Sequence, residues 1–275
     1  MIGYLPDGRQ VLQRVFILNR IGNIRKNMAL REELEKQGSW LFRNRSYLPL
    51  IGIPILLIAL RNSEYFERAF GESVQAFWEF FSASISFLGL GIRCLVAGYA
   101  PRGTSGRNTK SQAAEMLNTT GMYSIVRNPL YLGNFVIILG ATLFLQVWWF
   151  ALIVWVGFWI YYERIILAEE NFLRNKFGDI FLKWADKTPI FLPNFKNWNK
   201  PNLPFSFKTV LRREFSTFFG IIAAFTFLDI AADLFADGKF ELDLSWTVLF
   251  IFALIIYIVA LTLKKKTNRL NVPGR

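Results

Sequence analysis

Histidine is absent from the sequence, and cysteine occurs once, at Cys94, inside an apolar block. The first absence removes the commonest general base and the commonest zinc ligand from any mechanism. The second excludes an intrachain disulfide and a cysteine-based metal site. Charge is also scarce: charged residues make up 19% of the 275 positions, against 53% hydrophobic and 17% aromatic. The apolar residues lie in long blocks rather than short alternating runs, which is the profile of a polytopic membrane protein.

The charge that is present is lopsided, with 32 Lys and Arg against 20 Asp and Glu, a formal net charge of +12. In a soluble protein this excess would suggest nucleic acid. Here the cations cluster between apolar blocks, as loops facing an anionic leaflet do, and no soluble basic domain accompanies them. Nucleic acid is therefore not an expected partner.

Residues 1–46 mix Arg9, Arg14, Arg20, Arg25, Lys26 and Arg31 with Val11, Leu12, Val15, Phe16 and Leu18. They read as a basic amphipathic helix on a membrane surface. The apolar stretch is too short for a signal peptide, and no small-residue cleavage site follows. Residues 47–99 hold the first membrane helices. Of these, 47–60 contains Pro49 and Pro54 and reads as a kinked or re-entrant segment, while 76–99 is long enough to span. Glu79 and Arg93 lie at opposite ends of that span, each expected to snorkel to its own interface.

Residues 130–162 read as a tight hairpin turning near Gln146–Trp149, and residues from Glu163 to Gly178 as an interfacial helix. Residues 194–215 read as an interfacial linker, and 216–275 as a C-terminal hairpin with a basic tail at Lys264, Lys265 and Lys266. The expected fold is all-α: a polytopic helical membrane bundle with five to six spans plus interfacial helices. The positive-inside rule puts 1–46, 100–129, 163–215 and 264–275 on the cytoplasmic side. It puts 236–244, with Asp237, Glu241 and Asp243 against Lys239, outside.

Chemistry concentrates in residues 100–193. In the loop Pro101–Lys110, Gly103 and Gly106 let backbone amides approach an anion, and Arg102, Arg107 and Lys110 supply charge suited to an oxyanion. Together with Asn108 and Tyr123 they are the candidate substrate-binding residues. Farther on, Glu169 and Glu170 sit about 100° apart on a helix, so both do not point at one ligand atom. One is expected to face a cation, the other a neighbouring Arg or a helix end.

The pattern Gly121-x-Tyr123-x-x-x-Arg127-Asn128-Pro129-x-Tyr131-x-Gly133, an apolar hairpin, Glu169-Glu170-x-x-Leu173-x-x-x-Phe177-Gly178, then Thr188-Pro189 and Pro193, resembles one family of membrane enzymes. That family is the isoprenylcysteine carboxyl methyltransferase and phospholipid methyltransferase superfamily, and the resemblance covers residues 90–193. It implies S-adenosylmethionine as cofactor, with Arg127, Asn128, Tyr131, Leu132, Gly133, Glu169 and Glu170 as the cofactor-binding candidates. It assigns no catalytic residue and no metal. The sequence departs from the family at Asn128, where His is usual, and at Phe181, Trp184 and Ile190, where the late motif commonly reads Tyr-x-x-Tyr and Thr-Pro-Arg.

An oxyanion acceptor is ionised near neutral pH and needs no base, whereas an ammonium headgroup must first lose a proton. A chain without histidine therefore leans toward an anionic lipid group. The lead acceptor is a lipid A phosphate, as in some superfamily members. This implies an integral protein of a bacterial inner membrane with its site facing the cytoplasm. The rivals are a prenylcysteine carboxylate, a phosphatidylethanolamine amine, an NADPH-dependent lipid reductase, and a non-enzymatic transporter or scaffold. Transport is disfavoured because no inverted repeat is visible. The oligomeric state is not legible in the sequence.

Overall fold

A bilayer offers backbone amides no water, so a spanning segment must satisfy its own hydrogen bonds, and long apolar runs become helices. The computed structural model describes residues 30–45, 47–63, 70–104, 114–236, 238, 240 and 242–275. Among these, every element is helical: α1 (Leu30–Asn44), a 3-10 turn (Leu48–Gly52), α2 (Ile53–Leu60), α3 (Glu72–Tyr99), α4 (Met122–Ile125), α5 (Pro129–Phe144), α6 (Trp148–Phe177), α7 (Asp179–Lys187), a second 3-10 turn (Phe195–Asn197), α8 (Phe207–Ala236) and α9 (Leu244–Lys266). Four of them, α3, α6, α8 and α9, are long and apolar enough to cross a membrane, and the chain is an integral membrane protein. Two shorter apolar helices, Leu50–Leu60 and Pro129–Phe144, accompany them.

The N-terminal part packs more closely than a surface helix would. Helix α1 runs antiparallel along α6: Arg31 donates to Asn171 at 2.7 Å, and Arg164 donates to Gln37 at 3.0 Å. Gly38 lies so close that an added Cβ would strike the Arg164 carbonyl. The path continues through the proline-containing 3-10 turn into α2, whose Ala59 and Leu60 are buried with Phe144 and Phe150. Helix α1 therefore packs along α6, and α2 packs its C-terminal end into the core shared by α5, α6 and α8. The stretch 1–29, where most of the expected amphipathic helix falls, lies outside the described residues.

Helices α3 and α5 form the tightest pair. A Cβ on Gly89 would come within 2.6 Å of the Gly133 carbonyl oxygen, and one on Gly133 within 2.7 Å of Arg93 Cγ. Gly140 is as crowded against Ser82 and Ser86. Small residues at such spacing let transmembrane helices approach backbone to backbone. The turn out of α5 comes at Gln146, with φ +60°, inside the expected Gln146–Trp149 turn. Phe144, Phe225 and Trp246 then tie α5 to α8 and α9, with ring centroids 4.9 to 5.7 Å apart.

Three expectations are corrected. The Glu163–Gly178 stretch is not a separate interfacial helix. It is the second half of α6, because nothing between Trp148 and Phe177 breaks the helix before Gly178, where φ reaches +54°. Residues 207–215 are not linker but the first turns of α8. Arg93 does not snorkel. It donates from Nε to Glu214 Oε2 at 2.8 Å and from Nη2 to Oε1 at 3.1 Å, and from Nη1 to Asn134 Oδ1 at 2.5 Å.

The bundle consequently has a basic and an acidic end. The end of α3, the starts of α5 and α8 and the end of α9 converge with the C-terminal tail at the first. At the second, Glu79 accepts from Gln75 at 3.2 Å and from Trp246 at 3.4 Å, and Asp243 caps α9 by accepting from the Trp246 amide at 3.0 Å.

Candidate functional site

Arg127 precedes α5 and organises the site around itself. Its Nη1 contacts both carboxylate oxygens of Glu170 at 3.0 Å. Its Nε donates to the Thr188 carbonyl at 2.6 Å, and its backbone amide to the Pro189 carbonyl at 2.9 Å. The pair is mostly enclosed, with 17% and 23% of the two side chains exposed. One side chain thus ties the start of α5 to α6 and straps the Thr188–Pro193 segment across both. Asn128 adds a bond from Nδ2 to the Ile190 carbonyl at 3.2 Å, and the Asn194 amide donates to the Ile125 carbonyl at 2.9 Å.

Of the positions that depart from the family motif, Asn128 and Ile190 build this strap, while Phe181 and Trp184 lie in α7 just before it. Trp184 donates from its indole to the Tyr123 carbonyl at 2.9 Å, and Phe181 is buried. Ile190 contributes its carbonyl, which any residue supplies. Asn128 fills its place by donating an amide hydrogen, a role that needs no titratable ring.

Glu169, one residue along and about 100° around the helix, points elsewhere. It accepts from the Tyr131 hydroxyl, and Arg45, at the end of α1, lies close enough to act on it electrostatically. Tyr131 meets Tyr162 with ring centroids 4.5 Å apart, and Tyr162 stacks on Phe158 at 4.1 Å. Phe135 and Phe191 extend the aromatic wall, with Phe135 5.2 Å from Phe158 and 5.6 Å from Phe191. A carboxylate beside such a wall suits a cation: the carboxylate pairs with its charge and the ring faces attract it.

Of the candidate cofactor residues, Arg127, Asn128, Tyr131, Glu169 and Glu170 therefore gather around one junction of α5, α6 and the strap. Leu132 and Gly133 face another way. Leu132 is buried with Val96, Met122, Ile125 and Val126, and Gly133 lies against Arg93 and Gly89. Of the candidate substrate residues, Tyr123 sits in α4, where burial pushes its hydroxyl pKa up and the Glu169 charge adds to the effect. Arg102 is exposed at the end of α3, and its backbone amide donates to the Gly274 carbonyl at 2.9 Å. Arg107, Asn108 and Lys110 lie outside the described residues.

Sequence reasoning missed Asn134, Tyr162, Arg45 and Glu214. Asn134 bridges the two halves of the region, accepting from Arg93 and donating to the Tyr162 hydroxyl at 3.2 Å. Glu214 had one available signal: an arginine inside an apolar span calls for a carboxylate partner elsewhere.

A phospholipid methyltransferase family model matches residues 81–180, which run from the third turn of α3 to the start of α7. Over 85 residues the chain is 31% identical to the protein-S-isoprenylcysteine O-methyltransferase of Schizosaccharomyces pombe, covering 31% of this chain and 36% of that one. Over 77 residues it is 38% identical to the nickel-cobalt-cadmium resistance protein NccN of Alcaligenes xylosoxydans xylosoxydans (28% of this chain, 36% of that one). The cobalt-zinc-cadmium resistance protein CzcN of Cupriavidus metallidurans is 34% identical over 77 residues (28% and 35%). The matches span about a third of the length of these relatives. No solved structure matches. Residues 81–180 are the part of the chain that is similar to phospholipid methyltransferases.

Proposed function

We propose that the chain is an S-adenosylmethionine-dependent methyltransferase acting on an anionic group of a membrane lipid. The observation that carries this is the division of labour between the two adjacent glutamates. Glu170 is spent on Arg127, leaving Glu169, which accepts from Tyr131 and lies near Tyr162, to meet a cationic ligand.

That donor set fits the group. S-adenosylmethionine supplies an electrophilic methyl on a positively charged sulfur. Glu169 is placed to pair with the ammonium of its methionine end, and the rings of Tyr131 and Tyr162 present π faces to a sulfonium. Arg127 has already committed Nε and Nη1, so it acts as a positioning residue, and Arg45 is the guanidinium placed to meet the methionine carboxylate. The aromatic wall and the strap keep water from the reacting region, where in-line alignment of acceptor and methyl is the main requirement.

The acceptor follows from what the chain lacks. A phosphate or carboxylate oxygen arrives ionised, so no general base has to be found in a chain without histidine. A lipid A phosphate remains the leading acceptor, ahead of a prenylcysteine carboxylate and a phosphatidylethanolamine amine. With the basic end toward the cytoplasm, the start of α5 and the strap lie on the side where soluble nucleotide cofactors are found, as expected for a bacterial inner membrane.

Isothermal titration of the purified chain with S-adenosylmethionine and with NADPH tests the reading. Binding of the first alone is expected. Binding of NADPH alone would replace this reading with that of a lipid reductase.

A further inference from the structure

A second site lies on the other side of α5. At the basic end a cavity of about 350 Å³ is walled by the end of α3, the first turn of α5, the start of α8, the end of α9 and the C-terminal tail. Six cations line it, Arg93, Arg102, Arg212, Arg213, Lys264 and Arg275, against one carboxylate, Glu214. Glu214 is already consumed by Arg93. Apart from Glu214 the lining side chains include no carboxylate, and the floor is made apolar by Val96, Ala97 and Leu130.

Cations held this close repel one another, and their arrangement is built rather than incidental. Arg275 bonds the carbonyls of Gly98 and Pro204, drawing the tail across the cavity. The Arg102 amide fastens the same tail at Gly274. Lys264 lies over the Phe215 ring, 5.2 Å from its centroid. Among the described residues, neither Arg102 nor Arg212 makes an ion pair.

From this geometry we propose that the cavity binds the phosphate of a membrane lipid. Guanidinium groups take phosphate oxygens in two-pronged fashion, and the apolar floor suits the first carbons of the lipid's acyl chains at the membrane interface. Three of the walls, α8, α9 and the tail, lie outside the 81–180 segment that matches the phospholipid methyltransferase family, and the other two, α3 and α5, lie within it. The cavity also has a route to the first site. Leu130 lines the cavity while Tyr131, the next residue, meets Glu169, and the Arg93–Asn134–Tyr162 hydrogen bonds connect the two regions. That the bound phosphate is held for methyl transfer rests on the proposed methyltransferase reading; the binding itself does not.

The test is native mass spectrometry of the full chain in neutral detergent without methyl donor, with phosphatidic acid, phosphatidylcholine or inorganic phosphate added. The chain is expected to retain phosphatidic acid in preference to the other two. Arg102→Gln/Arg212→Gln should weaken that binding about tenfold or more, since each change removes a charge-assisted contact. Arg102→Lys/Arg212→Lys should stay within about threefold, because charge remains while the fork geometry is lost. If the double glutamine variant fails to fold, Arg102→Gln alone, on an exposed side chain, must still weaken binding. Undiminished retention by a folded glutamine variant overturns the proposal, as does inorganic phosphate competing as well as the lipid. Parallel titration with S-adenosylmethionine separates the two readings: lipid binding that persists in a chain unable to bind the donor leaves this site standing and removes the methyltransferase.

Discussion

Arg93 of α3 and Glu214 of α8, 121 positions apart in the chain, form a two-pronged ion pair at 2.8 and 3.1 Å. Only 14% and 6% of the two side chains are exposed. The pair fastens the C-terminal hairpin to the α3–α5 core, and Thr217 supports it by donating to Glu214 Oε2 at 2.9 Å. A buried charge stripped of its partner is far costlier than the pair is favourable. Arg93→Met or Glu214→Leu alone should each cost about 3–5 kcal/mol, and the double variant should recover most of the loss. Thermal unfolding in detergent checks this, and additive losses would contradict it.

How much of this was legible in the sequence depends on range. The long helices were, because lipid demands about 20 apolar residues per crossing and nothing else in the chain mimics that. The split between Glu169 and Glu170 was too, since helical geometry alone forbids a shared ligand atom. The Arg93–Glu214 pair was not, because hydropathy is local. Arg212, Arg213 and Glu214 lower it enough to make the first turns of α8 resemble a linker. The same blindness divided α6 at Glu163, where charge begins although the backbone continues.

Arg127 and Glu170 should behave as one unit. Arg127→Ala and Glu170→Ala are each expected to weaken S-adenosylmethionine binding by about tenfold or more, through loss of the strap rather than of a direct contact. A double-mutant cycle should show coupling of about 0.5–3 kcal/mol. Full additivity in titration calorimetry would mean the two residues act separately.

Glu169→Gln keeps an acceptor for the Tyr131 hydroxyl but removes the charge. Affinity for S-adenosylmethionine should fall at least about tenfold, the worth of a charge-assisted bond, while the melting temperature hardly moves. Unchanged affinity would exclude Glu169 as the residue meeting the ammonium.

Close helix approach makes a paired prediction about glycines. Gly140→Ala drives a methyl into Ser82 and Ser86 and should destabilise by about 1–3 kcal/mol. Gly91→Ala, in the same bundle but with nothing within 4 Å, should be neutral or stabilising by about 0.5–1 kcal/mol. Equal effects at both positions would refute the packing of α3 on α5.

The acceptor leaves its mark on the pH profile. A phosphate monoester has its second ionisation near about pH 6, so the methylation rate should rise through that region and then stay level to about pH 9. The Tyr123 hydroxyl, its pKa raised by burial, stays protonated throughout and adds no limb to the curve. A rate still climbing from pH 7 to 9 would indicate an amine acceptor that must be deprotonated.

The most direct measurement is to incubate the purified chain in lipid nanodiscs with S-adenosylmethionine carrying a deuterated methyl group, and then to analyse the lipids by mass spectrometry. Expected is a phosphate-bearing lipid heavier by one trideuteromethyl group in place of hydrogen, with no such product from Glu169→Gln. No labelled lipid from a folded chain that binds the donor, across nanodiscs presenting phosphate, carboxylate and amine headgroups, would contradict the assignment of this protein as a lipid methyltransferase.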